Sequence, residues 1–165
     1  MTTDRASEID LFLASAGWAG ADRATLAEDA SFRRYERVTR GAERAVLMDA
    51  PPAREDVRPF LRIARALKDF GYSAPAILAE DVAQGFLLLE DLGDDTYTRL
   101  LDAGMPAAEL YALAVDVLID LHARPAGEIV PRGVATYDDA LFQTEAGLLT
   151  EWYLPAVFEG APGDN

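Results

Sequence analysis

Two hydrophobic periods alternate along the chain. In residues 7–16, Ile9, Phe12, Leu13 and Ala16 recur at helical spacing, Ser7 is the expected cap and Gly17 the stop. From residue 25 to 50 the period shortens. Tyr35-Glu36-Arg37-Val38-Thr39 alternates, residues 40–43 read as a turn containing Gly41, and residues 44–49 are a mostly apolar strand, which predicts a hairpin. Pro51-Pro52 is expected to close that strand and open a helix, with Glu55 and Asp56 in its first turn favouring the positive end of the dipole. Val57, Phe60, Leu61, Ala64 and Leu67 then form a core-facing stripe, ended by Gly71.

Residues 76–79 and 86–89 are short apolar strands joined by a turn over 80–85. The acidic, glycine-containing stretch 90–95 reads as a hinge. Beyond it the pattern is helical only. A short helix is expected over 95–102. A long one opens at Pro106, with Leu110, Leu113, Ala114, Val117, Leu118 and Leu121 on one face, and a third covers 137–153. Residues 160–165 read as a loose end. The order is therefore helix, about three strands, helix, two strands, acidic linker, helices. It is an α+β arrangement whose best internal boundary falls at 91–93, giving segments 1–91 and 92–165.

Composition narrows the chemistry. The 165 residues include no cysteine and one histidine, which removes disulfides, thiolate sites, a cysteine nucleophile and any two-histidine metal site. The net charge of −14 argues against nucleic-acid and anionic-membrane binding. The polar N-terminus is no signal peptide, and no stretch approaches the ~20 apolar residues of a membrane span, so a cytoplasmic protein is expected. The charge is uneven. Residues 31–68 hold ten basic and five acidic side chains, a net +5, leaving −19 on the other 127 residues. A basic segment inside an acidic chain is a candidate anion site.

Three motifs in fixed order carry a family resemblance. Residues 29–35 (DASFRRY), 46–52 (VLMDAPP) and 85–93 (GFLLLEDLG) resemble the aminoglycoside phosphotransferase superfamily, and within it the bacterial anomeric kinases for N-acetylmuramate and N-acetylglucosamine; residues 151–155 (EWYLP) also fit that group. The resemblance implies a protein-kinase-like small lobe, a five-stranded antiparallel sheet plus helix that binds nucleotide, over 1–91. An incomplete α-helical large lobe would follow over 92–165. It also implies ATP and Mg²⁺ as cofactors of the complete enzyme, and a nucleotide and an amino sugar of cell-wall recycling as its small-molecule partners.

Carried onto these positions, the resemblance puts Ser31, Phe32, Arg33 and Arg34 in the loop over the nucleotide phosphates. Leu89, Glu90, Asp91 and Leu92 fall at the strand and hinge that hold adenine. The third strand of a kinase fold carries a phosphate-binding lysine, but here Met48 stands at that place, and the sole lysine is Lys68. Glu55 is the expected acid partner at the helix, left to an arginine or to the helix dipole. Glu151 and Trp152 are candidates for the acceptor side.

No catalytic or metal-binding residue can be assigned. Kinase chemistry needs an aspartate to orient the acceptor hydroxyl and ligands for Mg²⁺. The one histidine, His122, is followed two residues later by Arg124 where a catalytic loop needs aspartate, so a structural place at a helix end is expected for it. The chain is expected to be inactive alone: a truncated product, an expression fragment or half of a split enzyme. The alternatives are a kinase for aminoglycosides, choline or homoserine, and a non-catalytic pseudokinase-like interaction module. In the last case, apolar surface on the helices after Met105 would support a dimer or a C-terminal complement.

Overall fold

The computed structural model describes residues 4–28 and 31–158. The expectations for Asp29, Ala30 and residues 160–165 lie outside the described residues. By internal contacts the chain divides into two units, Met1–Arg132 and Gly133–Asn165.

The first unit is built on five antiparallel strands in the spatial order β1-β2-β3-β5-β4. These are β1 (Asp22–Glu28), β2 (Arg34–Arg40), β3 (Glu43–Asp49), β4 (Ile77–Asp81) and β5 (Phe86–Glu90). The tight turn at Gly41, with φ +60°, pairs β2 with β3 in the register Tyr35 to Met48 and Arg37 to Val46. The helix α2 (Arg58–Asp69) is inserted between β3 and β4. This is the α+β arrangement read from the element order, and the kinase-like small lobe that the family resemblance implies.

Side-chain alternation on β3 and β5 explains why both read as unbroken apolar runs. Ala45, Leu47, Phe86 and Leu88 face α1 (Arg5–Ser15), where they bury Ile9, Phe12 and Leu13 together with Trp18 just beyond the helix. Val46, Met48, Leu87 and Leu89 face the other way, against Val57 and Leu61 from the α2 segment. Strands covered on both faces lose the polar half of the period. The outer strands β1 and β4 each carry a register irregularity, at residues 25–27 and 77–79, a common way of blunting a sheet edge.

Several boundaries differ from the pattern-based ones. Ser7 lies inside α1 rather than capping it, because Arg5 already belongs to the helix, reaching from its first turn to Asp49 and to the carbonyl of Gln84. Likewise α2 begins at Arg58, not at the prolines. Residues 51–54 form a turn in which the Arg54 and Glu55 amides donate to the Pro51 carbonyl, and Pro59 occupies the first helical turn. Glu55 and Asp56 therefore precede the helix. Asp56 accepts from the Arg58 amide, and Glu55 is freed to face the β1–β2 loop.

Beyond β5 the chain continues as α3 (Tyr97–Asp102), α4 (Ala107–Ala123) and α5 (Ala126–Ile129). The apolar stripe on α4 is largely uncovered, as the reading of exposed apolar surface on the helices after Met105 anticipated. Leu110 alone on this helix is buried, while Leu113, Val117 and Leu118 are exposed. What secures the C-terminal end of α4 is polar and aromatic. The Tyr72 hydroxyl donates to Asp120, Arg124 Nε donates to the Tyr72 oxygen at 3.0 Å, and the Arg124 guanidinium lies over the Phe70 and Tyr72 rings. In the second unit the expected helix 137–153 is α6 (Asp139–Leu148), capped by the Asp138 side chain. It runs into a π-helical turn (Leu149–Tyr153) and then α7 (Leu154–Val157). No described helix is long and apolar enough to cross a membrane.

Candidate functional site

The basic segment of the sequence is mostly neutralised by specific pairs. Arg40 meets Glu43, Arg58 meets Asp56, Arg65 meets Glu80 and Lys68 meets Glu90. Several of the acids come from outside the segment, which is why a local charge count overstated its field.

Arg33, Arg34 and Arg54 come together along one cleft, while Arg44 and Arg62 lie outside it. This open cleft of about 480 Å³ is lined by Ser31, Phe32, Arg33, Arg34, Pro51, Ala53 and Arg54. It joins the loop before β2 to the turn after β3. Glu55 ties the two together: it accepts from the Phe32 amide at 3.1 Å and from Arg33 Nε at 3.3 Å. The Arg33 amide donates to Ser31 Oγ at 3.2 Å, and the Arg54 guanidinium sits 4.4 Å from the Phe32 ring centre. An exposed aromatic under a guanidinium is a modest attraction, enough to bias where Arg54 rests.

The neighbouring arginines part company. Arg33 goes to Glu55, while Arg34 reaches the buried Asp49 at 3.4 Å. Asp49 is also held by Arg5 at 2.7 Å, and Arg5 in turn lies over the Phe86 ring. A buried carboxylate between two guanidinia is a satisfied structural charge. Met48, at the kinase lysine's position, is fully buried among Val46, Val57, Leu61 and Leu87. A charged group there would have no carboxylate in its cluster.

The hinge region is equally defined. Leu89 is buried in the α2-side core. Glu90 accepts from the Ala76 amide at 2.9 Å and from Lys68 at 3.1 Å, contacts that hold its carboxyl below the usual range, the Ala76 amide contributing most. Asp91 takes a two-pronged contact from Arg37, at 2.7 and 3.1 Å, and accepts from the Gly93 amide. Arg37 also donates to Asp94. These hydrogen bonds lower both carboxyls and raise the guanidinium. Leu92 points to solvent. Sequence reading missed Arg37, Asp49, Arg5 and Arg54. The partners that fix them lie 15 to 57 residues away in the chain (Arg34 and Arg5 for Asp49, Asp91 and Asp94 for Arg37, the Phe32 ring for Arg54), so no local pattern marks them.

Glu151 and Trp152 belong to the second unit, on the π-helical turn, both exposed. His122 is exposed in the last turn of α4. Among the described residues no group of three or more His, Cys, Asp or Glu could hold a metal ion. Among the described residues the cleft therefore offers donors and positive charge for an anion, and no cluster that could hold a metal.

A family model described as "Phosphotransferase enzyme family" matches residues 22–159. The chain belongs to the phosphotransferase enzyme family. Three similar proteins all bear the name N-acetylmuramate/N-acetylglucosamine kinase. One from Pseudomonas aeruginosa is 43% identical over 148 residues, covering 88% of this chain and 42% of that protein. One from Caulobacter vibrioides is 34% identical over 184 aligned positions, 92% of this chain and 51% of that protein. One from Neisseria meningitidis serogroup B is 33% identical over 132 residues, 78% of this chain and 38% of that protein. This family member thus spans about half or less of the length of these relatives.

Proposed function

We propose that this chain is the nucleotide-binding portion of an ATP-dependent kinase that phosphorylates N-acetylmuramate or N-acetylglucosamine at the anomeric hydroxyl in cell-wall recycling. The observation that carries the reading is its 43% identity, over most of its length, to a protein with that name. Residues 1–91 are the nucleotide lobe, and 92–165 the start of the helical lobe. Ser31 to Arg34 line the phosphate side. Residues 89–92 present backbone groups to adenine, with the Arg37–Asp91 contact fixing that backbone.

The cleft fits the phosphates of ATP, because arginine donors surround an open space of adequate size. The described residues do not fit Mg²⁺, since no ligand set converges. With neither a base nor an acceptor-orienting aspartate assigned, the chain alone binds nucleotide without transferring phosphate.

The test is a phosphorylation assay with ATP, Mg²⁺ and each amino sugar. One arm uses the chain alone, the other adds a polypeptide matching the remaining half of the relatives. The expected outcome is turnover only in the second arm, with aminoglycosides, choline and homoserine as poor acceptors. Turnover by the chain alone overturns the inactive reading; preference for another acceptor overturns the amino-sugar one. A second reading, a non-catalytic interaction module, is favoured by the exposed apolar face of α4. A defined complex without turnover in either arm would support it.

A further inference from the structure

Phosphate handling in kinase folds rests on a strand lysine held by a helix glutamate. Neither member is available here in that form. Met48 is sealed in the core, and the single lysine, Lys68 in the last turn of α2, is committed to Glu90. Yet an acid–base pair of the same chemistry does form nearby. Glu55, mostly buried, holds Arg33 through Nε, which leaves the two terminal nitrogens of that guanidinium for another acceptor. Arg54 lines the same cleft and, among the described residues, has no carboxylate partner; its contact is the Phe32 ring. Of the other basic residues in 31–68, Arg34 is drawn to Asp49, five more (Arg37, Arg40, Arg58, Arg65 and Lys68) are paired with acids as described, and Arg44 and Arg62 do not line the cleft.

We infer that Arg33, oriented by Glu55, and Arg54, rested on Phe32, form a two-arginine clamp for the polyphosphate of a nucleotide. It replaces the strand lysine. The inference rests on the nucleotide-binding reading above and adds the groups that carry it. Two planar guanidinia lining one cleft, one from the loop before β2 and one from the turn after β3, suit an extended polyanion better than one ammonium, because each donates in a fixed fork. The Glu55 carboxylate also keeps Arg33 from folding back onto the chain's many other acids. The arrangement moves the positive charge from the sheet, where burial would penalise it, to a loop and a turn.

The experiment is calorimetric titration of the full chain with ATP and with adenosine, together with competition by inorganic tripolyphosphate. Wild type is expected to prefer ATP over adenosine and to release ATP to tripolyphosphate. Arg33→Ala and Arg54→Ala should each reduce the ATP preference about tenfold, as losing one charge-assisted contact implies, with adenosine affinity unchanged. The double variant should lose competition by tripolyphosphate. Arg62→Ala, which removes an exposed charge on α2 outside the cleft, should change neither ratio. Retention of the ATP preference in both single variants, or its loss in Arg34→Ala instead, overturns the clamp while leaving the nucleotide site standing. Failure of wild type to bind either ligand overturns both. Circular dichroism and thermal melts of each variant separate loss of the clamp from loss of the fold.

Discussion

Gly85 occupies a position where a side chain has nowhere to go. It sits at φ +72°, and a Cβ built there would meet the Ala50 carbonyl oxygen at 1.9 Å. The same two residues exchange a backbone hydrogen bond, Ala50 N–H to the Gly85 carbonyl at 2.9 Å. Gly85→Ala is therefore expected to cost at least about 2 kcal/mol, adding a backbone clash to the left-handed penalty. Gly41→Ala, at φ +60° with open space around it, should cost only the penalty, about 1 kcal/mol. Paired urea titrations give the comparison. Arg37 is the other residue whose role depends on distant partners. Its hydrogen bonds hold the Asp91 and Asp94 carboxyls below their ordinary range. A carboxyl depressed in the folded state stabilises above its unfolded value, near pH 4, and that contribution fades as pH falls through the folded value. The wild-type chain should thus lose stability below about pH 4 more steeply than Arg37→Ala, and the variant should be the weaker at pH 7. An Arg37→Ala profile parallel to wild type from pH 7 to 3 would show that the contact contributes nothing.

At the scale of elements, α2 and α4 make a useful contrast, because both carry a regular apolar stripe. On α2 the stripe meets a sheet face, and Leu61 is 3% exposed. On α4 the stripe meets little, and Leu118 is 52% exposed. Leu61→Ala is expected to cost about 2–5 kcal/mol, whereas Leu118→Ser should stay within about 0.5 kcal/mol. A dye that reports exposed apolar surface should bind wild type and bind the Leu118→Ser, Leu113→Ser double variant less. Equal stability losses at the two leucines would contradict the described burial of α4. Periodicity identified both helices and their faces, since it needs only the spacing of side chains. It says nothing of whether another element arrives to cover the face. The same limit explains the misplaced start of α2. Proline is compatible both with a helix start and with the turn that forms at residues 51–54, and the choice falls to Glu55, whose contacts lie on another loop.

Across the whole molecule, both hydrophobic clusters draw only on residues 9–89. Shortening the chain to end at residue 132, the limit of the first unit, should therefore leave the sheet's thermal midpoint unchanged by near-ultraviolet dichroism of Trp18. A large drop would mean that residues 133–158 support the sheet. The sequence by itself determined the α+β class, the five strands and their punctuation by glycine and proline, and the family motifs. Each of these is encoded within a few neighbouring residues, by period, by turn chemistry or by a contiguous motif. The fold decided what depends on distance through space. It sent Arg33 to Glu55 and Arg34 to Asp49, although they are adjacent in the chain, because successive backbone positions point to opposite sides as the loop enters β2. It buried Met48, joined Arg37 to the hinge, and left Arg54 as the cleft's arginine with no carboxylate partner among the described residues. Ion pairs are short-ranged and form between whichever charges the folded backbone brings together, so most of the net +5 of residues 31–68 is matched by acids, and Arg33, Arg34 and Arg54 come together along one cleft.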